Sequence, residues 1–163
     1  MAEIESLTLA KALSVKNRLA GRLAQARGNI ETYNSVLAGQ REGNGAGVVD
    51  VRAEFDRMQK LQDALVAVKA AIQRANIEIY AEILRLGEIK SLIQMLNGLN
   101  TRHGAEPGYN GVEYHYVAEL GKPEVLELIR QREAEIDAIQ DRINQYNAAT
   151  RIELRSEVLD LAR

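Results

Sequence analysis

The sequence predicts an all-α fold: an elongated, oligomeric helical coiled-coil bundle carrying a small β-hairpin-like insertion. Three observations lead there. Hydrophobic residues make up 46% of the 163 but aromatics only 4%, so the apolar content is Leu, Ile, Val and Ala, the residues of packed helices. Met58, Leu65, Ile72, Ile79, Leu86 and Ile93 stand seven apart, and Leu61, Val68, Ala75, Ile89 and Leu96 fill the positions three residues further on. A seven-residue repeat sustained this far is a coiled-coil seam, broken only by Glu82. Between 101 and 123 the period changes, and that stretch holds both histidines, both prolines and three of the six tyrosines.

Taken in order, the first helix is expected over about 7–38, with apolar residues at Leu9, Ala12, Leu13, Leu19, Leu23, Ala26, Ile30, Tyr33 and Leu37 and a cap at Thr8 or Ser6. A flexible loop over 39–49 follows, because Gly39, Gly43, Gly45 and Gly47 make helix costly. The long coiled-coil helix spans about 51–100, which at 1.5 Å per residue is a rod of roughly 70 Å. No single globule of this length has that diameter, hence the expectation of an elongated oligomer.

The insertion covers 101–122. Asn110-Gly111 signals a turn, and from Val112 to Leu120 the residues alternate, placing Tyr114 and Tyr116 on one face and Glu113 and His115 on the other. A strand needs a partner, expected around Ala105–Tyr109 or on another subunit. Pro123 suits a first helical position, and Val125, Ile129, Ile136, Ile139, Ile143 and Tyr146 carry a helix over about 123–149. The segment 151–163 reads as a tail or short helix, and the whole as a single helical domain.

Charge and residue usage narrow the chemistry. Basic and acidic groups number 21 and 23, which argues against a dedicated binder of long nucleic acid. Cys is absent, so thiolate chemistry and disulfides are out. The opening residues are acidic where a signal peptide is basic, and no apolar run approaches the ~18 residues of a membrane span. A cytoplasmic protein without a membrane partner is expected.

No catalytic motif stands out: His103 and His115 lack metal-ligand spacing, the glycine-rich loop lacks the Gly-Lys-Ser/Thr ending of a phosphate loop, and no Gly-x-Ser-x-Gly occurs. Glu82 in the seam reads as half of an ion pair with Arg or Lys rather than a catalytic carboxylate. No enzyme, metal or cofactor is expected.

Three constellations are candidates for binding. In the insertion, Arg102, His103, Tyr109, Tyr114, His115 and Tyr116 form either an end cap or a ligand wall, where rings stack on a planar group and cations meet anionic oxygens. On the first helix Lys11, Arg18 and Arg22 share a face, for which the acidic run Glu133, Glu135, Asp137 and Asp141 is an available complement. Near the last long helix's end, Asn144, Tyr146, Asn147, Thr150 and Arg151 make a polar edge; a buried amide there would fix register, or Asn147 and Arg151 would hold an anion.

The segment Arg142-Ile-Asn-Gln-Tyr-Asn-Ala-Ala-Thr-Arg151, with Leu9-Ala-Lys-Ala-Leu13 and a later glycine-rich loop, resembles the septicolysin-like family of small helical bacterial proteins. That resemblance implies a helical hairpin. In size and design the chain is also similar to small helical viral proteins that sequester nucleotide immune signals. Two functions are therefore expected to compete: capture of a small anionic, nucleotide-like molecule at subunit junctions of a homo-oligomer, as an anti-defence sponge, and a structural or adaptor coiled coil that binds another protein.

Overall fold

The computed structural model describes residues 3–37 and 49–163, and the chain divides into two compact units. One comprises the chain up to Ile77 together with Asn147–Arg163; the other is Glu78–Tyr146. The expected single helical domain is thus two units, each with its own core. The loop expected over 39–49 falls almost wholly outside the described residues.

The first unit begins with β1 (Ile4–Thr8), leading into α1 (Leu9–Tyr33). Thr8 is extended at the junction, and its Oγ1 accepts from the Lys11 amide at 3.2 Å, so the predicted cap ends a strand as well as starting a helix. The helix therefore starts at Leu9, two residues later than expected. Helix α2 (Val51–Ala75) is capped by Asp50, whose Oδ1 accepts from the amides of Arg52 and Ala53 at 3.0 and 3.1 Å. Asn29, late in α1, donates to Glu54, early in α2, at 3.0 Å, so the two helices run antiparallel. Leu9, Ala12, Val15, Leu19 and Ala26 on one and Leu61, Ala64, Leu65, Val68, Ala71 and Ile72 on the other are buried.

The helix expected to run unbroken over 51–100 is interrupted. A single 3₁₀ turn, Asn76–Ile79, separates α2 from α3 (Tyr80–Asn97). The physical cause is local: Asn76, Ile77 and Ile79 are poor helix formers, by side-chain competition for the backbone in one case and β-branching in the others. The heptad count passes through this turn without registering it, because burial at Ile72 and Ile79 is kept on both sides.

In the second unit α3 packs antiparallel on α4 (Lys122–Ala149), whose last three residues belong to the first unit. Ile79, Ile89, Ile139 and Ile143 form one buried cluster; Leu96, Val125 and Ile129 form another toward the opposite end of α3. Between the helices lies the hairpin of β2 (Gly104–Pro107) and β3 (Glu113–Tyr116), paired Gly104 to Tyr116 and Pro107 to Glu113. The strand expected over Val112–Leu120 stops at Tyr116.

After α4 the chain returns to the first unit as β4 (Arg151–Arg155) and the short α5 (Ser156–Asp160). The segment read as a tail or short helix thus begins as a strand, with the short helix following it. β4 pairs antiparallel with β1, Leu7 opposite Ile152 and Thr8 opposite Arg151, and Leu7, Ile152 and Leu154 are buried. The Leu9 amide donates to Thr150 O at 2.8 Å, and Ser156 N to Glu3 O at 2.9 Å, which closes both ends of the ladder. Among the described residues no polar side chain is buried, and no helix is long and apolar enough to cross a membrane.

Candidate functional site

The hairpin of the second unit is built around two glycines with different jobs. Gly111 has φ +74°, a conformation an L side chain resists, and it lets the chain reverse after the 3₁₀ turn Tyr109–Gly111. Gly108 is extended, but a Cβ there would overlap the Tyr114 ring. Its amide donates to Val112 O at 2.6 Å, so the ring lies over the closed mouth of the turn.

Alternation then sorts the side chains. Tyr114 and Tyr116 share one face with Glu106, opposite Tyr114; His115 and Glu113 take the other. Arg102 stacks over the Tyr116 ring at 5.4 Å from its centroid, donates to Tyr116 OH at 3.4 Å, and lies 3.8 Å from Glu106. The guanidinium is partly neutralised but more than half exposed. His103 accepts at Nδ1 from the Ala118 amide at 3.3 Å, tying the two ends of the hairpin together. It acts as a clasp.

Six of the eight predicted binding residues, Arg102, His103, Tyr109, Tyr114, His115 and Tyr116, therefore lie on this one hairpin, with Arg102 and Tyr116 in contact. Asn147 and Arg151 belong to the other unit. Arg151, expected to hold an anion, instead donates to Ser6 Oγ at 3.0 Å and Ser6 O at 3.1 Å across the β1–β4 pair. Its donors stitch strands. Asn144 is exposed rather than a buried register-setting amide, because Ile143 and Tyr146 take the side of α4 that packs on α3; it accepts from Gln140 at 3.2 Å.

The charge patterns resolve in the same structural way. Arg22 donates to Leu161 O at 3.1 Å, while of the acidic run expected to complement it Glu135 is engaged inside the second unit. Glu135 accepts from Arg85 Nε and from Arg132 at 2.6 Å each. The Arg85 hydrogen bond, joined by Arg132 and opposed by partial desolvation, holds the Glu135 carboxyl below its ordinary value. Glu82 pairs with Arg142 at 2.9 Å across α3 and α4, and this raises the Arg142 guanidinium above its ordinary value.

Sequence reasoning missed two surfaces. One is an open groove of about 1020 Å³ in the first unit, with Ala64, Ala67 and Ala71 of α2 facing Leu154, Val158 and Leu161. It depends on β4 being a strand. The other is the outward side of α3, where Tyr80, Leu84, Leu92 and Met95 are exposed. A search for one apolar stripe per helix passes over a helix that has two.

No family model, curated protein or solved structure matches this chain.

Proposed function

We propose that the protein is a structural adaptor: copies of the chain assemble through helical faces, and the hairpin of the second unit docks a protein partner. The observation that carries this reading is the hairpin surface. Tyr109 is 89% exposed and Val117 82%, with Val112 and Tyr114 about half exposed beside them. In a chain with so few aromatics, their concentration on one exposed turn is the composition of an interface core, where tyrosine supplies large contact area with few rotors to freeze.

The test is quantitative co-purification from the source cells of the wild-type protein beside the double variant Tyr109→Ser, Val117→Ser. Both positions are exposed, so the variant should keep its melting temperature. A stoichiometric protein present with the wild type, absent with the variant, and rebinding the purified wild type supports docking by the hairpin. Equal recovery with both proteins sinks it.

The Arg102–Tyr116 stack favours a second reading, capture of a small anionic, nucleotide-like molecule on the same hairpin. A guanidinium held over a ring beside His103 offers donors to a phosphate and a shelf for a base. Under this reading native mass spectrometry finds a stoichiometric adduct of a few hundred daltons, and Arg102→Ala abolishes it. A partner protein and a retained small molecule are separate outcomes of these two measurements.

A further inference from the structure

Helix α3 is apolar on two opposite faces. Ile83, Leu86, Ile89, Ile93 and Leu96, with Ile79 of the preceding turn, face the α4 side, buried or half-buried. At 100° per residue Tyr80, Leu84, Leu92 and Met95 occupy an arc of about 120° on the opposite side, and all four are exposed. A second apolar stripe on a helix calls for a second covering surface, and among the described residues the core packed against this helix comes from α4.

Gly87 lies at the edge of that arc, in the middle of the helix. Glycine there costs about 1 kcal/mol relative to alanine, and a Cβ would meet nothing within 4 Å among the described residues. Nothing among the described residues explains a missing side chain at this point. Close approach by another helix does.

The spacing of the stripe says which helix. About a midpoint between Ile89 and Lys90, Leu84 mirrors Met95, Gly87 mirrors Leu92, and Glu88 mirrors Ser91. Two copies laid antiparallel on a two-fold axis would thus bring a large side chain against another large one at each outer layer. At the inner layer Leu92 of each copy faces the space left by Gly87 of the other. The polar layer, with the Ser91 hydroxyl donating to the other copy's Glu88 carboxylate, would penalise slipped registers, as a lone polar position does in coiled coils.

We infer that the outward face of α3 is a self-association surface, on which a second copy of this chain packs antiparallel about a two-fold axis between residues 89 and 90. The inference rests on reading the protein as an assembling adaptor and specifies the symmetry and register of that assembly. Isologous pairing of one patch with itself is what such a mirrored sequence can satisfy.

Because the chain contains no cysteine, single-cysteine cross-linking tests the register against a clean background. Two α3 helices paired this way bring Ser91 close to its own symmetry mate but hold Leu84 about 16 Å along the axis from its mate, too far for a disulfide. The experiment combines native mass spectrometry of the full chain with mild oxidation of Ser91→Cys, Leu84→Cys, Met95→Cys, and an equimolar mixture of the last two after subunit exchange. The expected result is a mass of twice the chain or a higher even multiple, covalent dimer from Ser91→Cys, and covalent dimer from the mixture but from neither of its components alone.

Self-linking of Leu84→Cys would mean parallel pairing and overturn the inference. Oligomer without any of these links would place the contact elsewhere, overturning the α3 register while leaving the adaptor reading intact. A chain monomeric at every concentration would remove both this inference and the assembly half of that reading, leaving the hairpin's docking role to its own test.

Discussion

Arg142 Nη2 donates to Glu82 Oε2 at 2.9 Å, joining α4 to α3 at the one seam position where the heptad series has no apolar residue. Both side chains are substantially exposed, so the pair sits at the rim of the helix interface rather than within it. It selects pairing more than it stabilises it. Glu82→Leu restores the apolar series while leaving Arg142 in water, and the expected outcome is an unchanged or higher Tm by circular dichroism. A marked fall would mean the ion pair holds the helices together.

Glu135 gives a pH signature. Its folded value is depressed, chiefly by the Arg85 hydrogen bond, so its contribution is fully present above the ordinary value of 4.5 and is lost as pH falls through the lowered folded value. Glu135→Gln should therefore lower the Tm by a constant amount above about pH 5, with the gap to wild type closing on acidification. The readout is thermal melting of both proteins from pH 7 to pH 3. A gap that widens in acid would contradict the assignment.

Each unit has its own core, so core truncations should act locally. Ile139→Ala removes a fully buried side chain from the α3–α4 cluster and should cost about 2–5 kcal/mol. Amide hydrogen exchange should rise more in α3 and α4 than in α1 and α2. Leu61→Ala, in the first unit, should show the reverse distribution at similar cost.

Arg151 is assigned to the β1–β4 ladder through Ser6. Arg151→Ala should cost about 1 kcal/mol in denaturant unfolding and speed amide exchange in Ile4–Thr8. If the variant instead keeps its stability and loses a bound anion, the residue has the role its sequence position first suggested.

Gly108→Ala tests the hairpin's close approach. The added methyl must displace the Tyr114 ring, since the backbone there is already extended and needs no glycine for its dihedrals. Near-ultraviolet circular dichroism should lose tyrosine signal while the helical signal at 222 nm, the standard helix wavelength, is unchanged. Loss of both would mean the hairpin is required for the helices to pack.

The helices were legible because their causes are local. Thr8 caps α1 as expected, and the seven-residue spacing from Met58 to Leu96 marks residues that are the ones buried or half-buried. The hairpin was legible for the same reason: Asn110-Gly111 and the alternation around Tyr114 encode a turn and a strand within a dozen residues.

What only the tertiary structure decided are the pairings between distant parts of the chain. Ile4–Thr8 and Arg151–Arg155 are each too short to announce a strand, and each becomes one by hydrogen-bonding to the other across more than 140 residues. That pairing takes Arg151 from a free cation to a stitch on Ser6. The break at Asn76–Ile79 and the second apolar face of α3 belong here too: periodicity reports how often a side chain returns to a face, while the fold determines which face is covered. The sequence by itself determined helices, caps and one turn, because those energies arise within a few residues; which strands meet and which helical face remains exposed followed from three-dimensional proximity.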